Sequence, residues 1–265
     1  MIFISVVSHG HLNFLDKINV LPKLSKHSNV KVVVLDNINE LGLKEWCYSH
    51  GITYLVNKER KGFGTNNNLI FNYIDSNFTV NNDDYFLVLN PDVFIDIINF
   101  ELLVKEVIKS APDVCTIDLF KDYEYQIRDP FIRKFPRFYD FFASYLLGVN
   151  NTVIDRSTTE VDFIDWCAGS FICFKIETYK CLKGFDEGYF MYCEDIDICF
   201  RAKLLDINIH YFPEIKAVHL AQHTNRSFLS KHFVWHVKSI IRFLLKSNSR
   251  KVSRLFKIKN HSSIK

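Results

Sequence analysis

Tyr85-Phe86-Leu87-Val88-Leu89 runs directly into Asn90-Pro91-Asp92. Five consecutive apolar residues closed by a proline turn read as a strand buried on both faces, the form that strands take inside a parallel sheet. Outward from it the pattern repeats. Ile2 to Val7, Lys31 to Leu35 and Ile52 to Val56 are further runs rich in β-branched residues, with polar-apolar helical segments between them. Strands alternating with helices imply a doubly wound α/β sheet. Ligands in such sheets bind beyond the carboxyl ends of the strands. That places the expected chemistry at Ser8-His9-Gly10, Asp36-Asn37, the loop from Asn57 to Asn68, and Asn90-Pro91-Asp92.

A chain of 265 residues, 48% hydrophobic and 24% charged, has ample apolar surface for a core and excludes a disordered or fibrous class. Its seven cysteines form no Cys-x-x-Cys pair, which points to a reducing compartment. The apolar run from Met1 to Val7 is too short, and lacks the basic flank, for a signal peptide. No stretch approaches the roughly 20 apolar residues that span a bilayer, so the expectation is a protein neither exported nor integral to a membrane. Charge is unevenly spread. Residues 231–265 carry ten Lys/Arg and no Asp/Glu, leaving 23 Lys/Arg against 30 Asp/Glu before them. Within that tail Phe233, Val237, Ile240, Ile241, Leu244 and Leu245 keep helical spacing, with Lys231, Lys238, Arg242 and Lys246 at other positions. Two readings fit equally: a basic amphipathic helix lying on a membrane surface, or a terminal helix packed on the core with a solvated basic face. Nothing else in the chain supports a nucleic-acid partner.

The carboxyl-end segments each carry a polar signature. Asp36-Asn37 offers acceptors for a nucleotide base or ribose, and is also ordinary turn chemistry. Gly62 and Gly64 permit close backbone approach where the next helix begins, a place suited to phosphate; a third glycine is missing, so this is not the dinucleotide fingerprint. Asn90 and Asp92 present two oxygen ligands to a divalent cation bridging a diphosphate, and the same tripeptide makes a common turn. Farther on, Glu194-Asp195-Ile196-Asp197 sets three carboxylates in four positions. Like charges so close raise one another's pKa values, which suits a general base, while an acidic first helical turn also favours the helix dipole. A helix starting near Cys193 would put Glu194 and Asp197 on one face, and Asp197 within reach of Arg201 at i+4.

In this order, Asp36-Asn37, the Gly62-Phe63-Gly64 loop, Asn90-Pro91-Asp92-Val93, Ala168-Gly169-Ser170-Phe171, Gly184-Phe185-Asp186, Glu194-Asp195-x-Asp197 and His219 resemble the inverting family-two glycosyltransferases of the GT-A fold, over essentially residues 1–245. Val6 through His11, Asp165 through Phe171, Gly188 through Asp197, and Asn225-Arg226-Ser227-Phe228 with Trp235-His236-x-Lys238-Ser239 narrow the resemblance to bacterial rhamnosyltransferases acting on polyprenyl-diphosphate-linked N-acetylglucosamine in O-antigen assembly.

The resemblance implies a Rossmann-like, mainly parallel central sheet with flanking helices over residues 1–230, its nucleotide-sugar half about 1–110 and its acceptor half about 111–230, then a basic amphipathic helix and tail over 231–265. Asp36, Asn37, Gly62, Gly64 and Asn68 would line the nucleotide of a dTDP-sugar. Asp92 would hold a metal-diphosphate with Asn90 and His219, the metal being Mg or Mn. An amide at position 90 in place of the family's acid is a weaker ligand, so the cation is expected to be weakly held or dispensable, with Arg226 neutralising the diphosphate. Asp195 would be the base that deprotonates the acceptor hydroxyl, and Glu194 would orient it or bind acceptor hydroxyls. Trp166 and Ala168-Gly169-Ser170 would form the acceptor floor, although Trp166 as plain core fits as well. The expected place of action is the cytoplasmic face of an anionic membrane carrying the lipid-linked acceptor. Two alternatives stay open: another nucleotide-sugar as donor, or a non-catalytic nucleotide-sugar-binding member of an assembly complex, favoured by Asn90. A nucleotidyltransferase would want a basic Gly-rich loop after the first strand, which Ser8-His9-Gly10-His11 is not.

Overall fold

The computed structural model describes residues 1–136, 139–140, 152–156, 163–220 and 231–262, the last segment with side chains over 232–248. Its frame is a nine-stranded sheet. The four apolar runs form β1 (Ile2–Ser8), β2 (Val30–Asp36), β3 (Thr53–Val56) and β4 (Tyr85–Leu89), which pair parallel in the order β3-β2-β1-β4. All five side chains of β4 are buried, as a strand covered on both faces requires. Helices Phe63–Asn77 and Ile97–Ser110 flank the sheet. Asp96 caps the second, accepting from the Asn99 amide at 2.9 Å.

Beyond β4 the expected parallel order gives way to a mixed sheet. β5 (Val93–Phe94), β6 (Val114–Phe120), β7 (Ile132–Arg133), β8 (Phe163–Ile164), β9 (Trp166–Cys167), β10 (Phe171–Lys175) and β11 (Ile209–His219) complete the strands described. The sheet continues β4-β10-β6-β11-β5, with β8 on β11 and β7-β9 as a separate ribbon. β10 runs antiparallel to both β4 and β6. The two sequence halves therefore share one sheet. β5, from the first half, is the edge strand beside β11 of the second.

Helix Glu194–Leu204 follows a turn in which Tyr192 (φ 73°) and Cys193 (φ 64°) both adopt left-handed backbone. Consecutive non-glycine residues in that region cost of order 1–3 kcal/mol each and persist where surrounding contacts impose them. The C-terminal helix, Lys231–Ser262, supplies such contacts. Its Phe243 is buried against Phe200 with rings 5.7 Å apart, and Ser239 donates to the Met191 carbonyl at 2.8 Å. Arg242 and Lys246 reach Asp186, and Lys246 also lies 2.7 Å from Asp197. The basic face is thus not wholly solvated, because two of its cations are spent on buried or half-buried carboxylates. The apolar positions divide too. Phe243 and Ile240 face the core, whereas Val234, Val237, Ile241 and Leu245 are exposed. Among the described residues, no helix is long and apolar enough to cross a membrane.

Candidate active site

Pairing in the sheet explains how residues far apart in sequence converge. The antiparallel register of β11 on β5 sets His219 opposite Val93, and the Leu220 amide donates to the Asp92 carbonyl at 3.0 Å. His219 Nε2 then lies 3.4 Å from Asp92 Oδ1, an ion-pair contact, while its Nδ1 lies 2.8 Å from Asp129 Oδ2. Burial pushes the imidazole toward neutrality, but Asp129 and Asp92 outweigh it and raise its pKa to about 9, so it carries charge at neutral pH. Burial likewise favours the neutral Asp92 carboxyl, yet His219 holds its pKa below the usual value. The Asn90 amide donates to the Ser170 carbonyl at 2.9 Å, joining this end of β4 to the start of β10.

Asp92 Oδ1 is buried and, among the described residues, makes no hydrogen bond of good geometry, facing only the His219 imidazole at 3.4 Å, which leaves it capacity to accept a cation. No cluster of three His, Cys, Asp or Glu side chains arranged for a metal ion occurs among the described residues. Asp92 and Asn90 thus fit a cation that takes most of its ligands from diphosphate and water, and His219 would join them only as a neutral imidazole, after losing its proton. The imidazolium also places a positive charge there by itself.

At the other side of the site, Asp195 lies in the first turn of its helix. Its Oδ2 accepts from the Gly169 amide at 3.3 Å and its Oδ1 from the Ile196 amide at 2.8 Å. Burial raises its pKa, with Arg133 among the groups opposing the shift. Glu194 is buried, its Oε2 without a partner. Burial, then the Asp195 charge, raises its pKa to about 8, so its carboxyl is protonated at neutral pH. Asp197 pairs with Arg201 at 2.7 Å, the i+4 contact its spacing predicts.

Other expected positions are tied into the surrounding structure. Asp36 is fully buried and accepts from the Ile38 amide (3.1 Å), the Glu40 amide (2.7 Å) and the Tyr54 hydroxyl (3.0 Å). Asn37 is committed to Lys61 and Asn57. Both shape the loops at the ends of β2 and β3. Asn68 does not present itself to a ligand: its oxygen accepts from Tyr179 and the Phe185 amide, and its nitrogen donates to the Phe185 carbonyl and Glu187, which uses the whole amide. Gly62 and Gly64 serve protein packing, since a Cβ on Gly62 would collide with the Phe190 carbonyl and one on Gly64 would come within 2.8 Å of Phe185 Cβ. Trp166 is buried, its indole donating to the Lys134 carbonyl at 2.9 Å, as its alternative reading as core requires. Arg226 lies outside the described residues. Sequence reasoning missed Asp129, whose partner is 90 positions away; only the sheet register brings the two together.

No protein-family model matches the chain. Rhamnosyltransferase WbbL of Escherichia coli (strain K12) is 39% identical over 246 residues, covering 92% of this chain and 92% of its own. Hexosyltransferase Agl10 of Haloferax volcanii, named for low-salt glycan biosynthesis, is 25% identical over 202 residues, 71% of this chain and 58% of its own. An N-acetylglucosaminyl-diphospho-decaprenol L-rhamnosyltransferase of Mycobacterium tuberculosis matches 86 residues at 30% identity, 32% of this chain and 28% of its own. Among solved structures, S. aureus TarS 1–349 in complex with UDP-GlcNAc superposes with a TM-score of 0.60 at 12% identity, over 86% of this chain and 62% of that one. Mannosyltransferase PcManGT of Pyrobaculum calidifontis with GDP-Man and Mn2+ gives 0.56 at 14%, over 91% and 64%. The chain spans under two thirds of the length of these solved chains, and at such identities the likeness is one of fold.

Proposed function

The chain belongs to the rhamnosyltransferase family of GT-A glycosyltransferases, and from that membership we propose that it transfers L-rhamnose from dTDP-L-rhamnose, with inversion, to polyprenyl-diphosphate-linked N-acetylglucosamine in the assembly of a cell-surface polysaccharide such as O-antigen. The observation that carries the reading is Asp195: a carboxylate of raised pKa, held by the Gly169 amide against the acceptor floor. Such a group is suited to take the acceptor hydroxyl's proton as that oxygen attacks the anomeric carbon. Glu194, protonated beside it, is a hydrogen-bond donor for an acceptor oxygen. Asp36, Asn37, Gly62 and Gly64 contribute to donor binding by fixing the loops that bound the nucleotide, and Arg226 would neutralise the diphosphate.

Asp92, Asn90 and, once it has lost its proton, His219 would hold a divalent cation, which when bound neutralises the departing diphosphate. The charge on His219 supports a second route in which the imidazolium meets the diphosphate without metal. The decaprenol-linked substrate in the name of the mycobacterial relative, together with the exposed Val234, Val237, Ile241 and Leu245 beside a basic tail, supports peripheral attachment to the cytoplasmic face of an anionic membrane. A screen of dTDP-, UDP- and GDP-sugars against a polyprenyl-diphosphate-GlcNAc analogue tests the reading. Turnover with dTDP-L-rhamnose alone is the expected result, and preference for another donor overturns it.

A further inference from the structure

The Trp235-His236-Val237-Lys238-Ser239 stretch begins the C-terminal helix, and there it builds a half-buried shelf that the carboxylates of the catalytic helix do not use. The Trp235 ring lies 4.7 Å from that of Phe190. The exposed Arg60 guanidinium stands over both rings, 5.8 Å from Phe190 and 5.5 Å from Trp235. His232 packs 5.1 Å from Trp235, with its Nδ1 3.1 Å from the Tyr192 hydroxyl. His236 lies 5.0 Å from the Tyr192 ring. One guanidinium, two imidazoles and three other aromatic rings therefore share a single surface.

That surface connects to the base through consecutive contacts. Phe63 donates its amide to the Phe190 carbonyl at 3.2 Å. The Phe63 ring sits where a Cβ on Gly169 would come within 2.8 Å of it, and the Gly169 amide donates to Asp195. The stereochemistry of an inverting displacement then assigns the shelf a side. The attacking hydroxyl and its base lie across the anomeric carbon from the leaving diphosphate, and the groups placed for that diphosphate are Asp92 and His219. Phe190 and Tyr192 lie in the segment that leads directly into Asp195, so the Arg60 guanidinium held over Phe190 is placed for a phosphate of the acceptor. Guanidinium donors match phosphate oxygens, and the flat rings beside them suit an apolar chain.

We infer that Arg60, His232, His236, Phe190 and Trp235 form the binding site for the polyprenyl-diphosphate portion of the acceptor, the diphosphate meeting Arg60 and the imidazoles and the first isoprene units lying on the rings. The inference rests on the proposal of a lipid-diphosphate acceptor, and it names the residues that recognise it.

The test is equilibrium binding of farnesyl diphosphate, which carries diphosphate and isoprenes but no sugar, to the full chain in the absence of donor. Saturable binding is expected for the wild type. Farnesol is expected to bind at least tenfold more weakly. Arg60→Ala removes a charged hydrogen-bond donor and is expected to weaken farnesyl diphosphate binding by about tenfold or more. Trp235→Leu should weaken it where Trp235→Phe does not. Arg60 is exposed, so its loss leaves the core intact, and a thermal melt verifies this. Equal affinity of wild type and Arg60→Ala, or no saturable binding by the wild type, overturns the inference. So does an Arg60→Ala defect of the same size toward phosphatidylglycerol vesicles lacking any diphosphate lipid, which would make the shelf a general membrane patch. Hydrolysis of the nucleotide-sugar, measured in parallel, reports on the donor reading independently, so failure of the shelf and failure of the proposed reaction give different results.

Discussion

Ser239 of the C-terminal helix donates a hydrogen bond to the backbone carbonyl of Met191 at 2.8 Å, and the two residues after Met191 carry the left-handed backbone that leads into Asp195. The tail therefore helps to position Asp195, the proposed base. Removing it releases Tyr192 and Cys193 from the contacts that offset their strain. Truncation after Ser230 should abolish transfer even to a short water-soluble acceptor. Ser239→Ala should lower stability by about 1 kcal/mol and reduce kcat more than donor affinity, as read by thermal melts and steady-state kinetics.

Replacing the base itself separates chemistry from binding. Asp195→Asn keeps the shape but removes the proton acceptor, and its single amide oxygen keeps only one of the hydrogen bonds from the Gly169 and Ile196 amides. Turnover should fall by roughly 10²–10⁴-fold, as for a lost general base, while the Kd for donor measured by titration stays within a few-fold. Glu194→Gln should cost less. A reversed order would transfer the role to Glu194.

Glu194 also makes stability depend on pH. Its carboxyl titrates at about 8 in the fold and at about 4.3 when unfolded. Between those values the folded state holds the extra proton, so stability declines as pH rises through that window. Glu194→Gln removes the decline. The melting temperature of the variant should equal that of the wild type near pH 4, rise above it as pH increases, and hold a constant excess beyond pH 8 to 9.

The parallel strands were legible because buried strands read as unbroken apolar runs: Tyr85–Leu89 ends where the sequence says it should. The mixed half was less so, since β5 is two residues long and is recognisable only by its pairing with β11. Local spacing found the Asp197 to Arg201 pair. It could not find Lys246 with Asp186 and Asp197, or His219 with Asp129, because nothing local to a cation shows which distant carboxylate it meets. Gly62 and Gly64 signalled close approach correctly. What approaches is Phe190 and Phe185, a distinction that composition does not carry.

Asp92 Oδ1 is buried and, among the described residues, faces only the His219 imidazole. If that oxygen serves a cation and, through it, the donor, Asp92→Ala should lose donor affinity and metal response together. Titrating Mn2+ against donor binding checks this without turnover. Chelator should slow the wild type, and an unchanged rate in excess chelator would assign the diphosphate to the His219 imidazolium alone.

Attachment to a membrane needs a different probe from charge reversal at Arg242 and Lys246, because those side chains hold the helix to Asp186 and Asp197. Ile241 and Leu245 are 53% and 70% exposed, and with Val234 and Val237 they share the face turned away from Phe243 and Ser239. Inserting that face into the headgroup boundary would bury apolar surface worth about 0.8 kcal/mol per CH₂, with exposed Lys238 adding roughly 1 kcal/mol against anionic lipid. Ile241→Ser with Leu245→Ser should leave the melt nearly unchanged, since exposed substitutions are usually within about 0.5 kcal/mol. Vesicle affinity should drop by about tenfold or more, transfer to long-chain acceptor should slow, and transfer to a short soluble analogue should persist. Undiminished binding of the double variant to anionic vesicles would show that this stripe is not the membrane face.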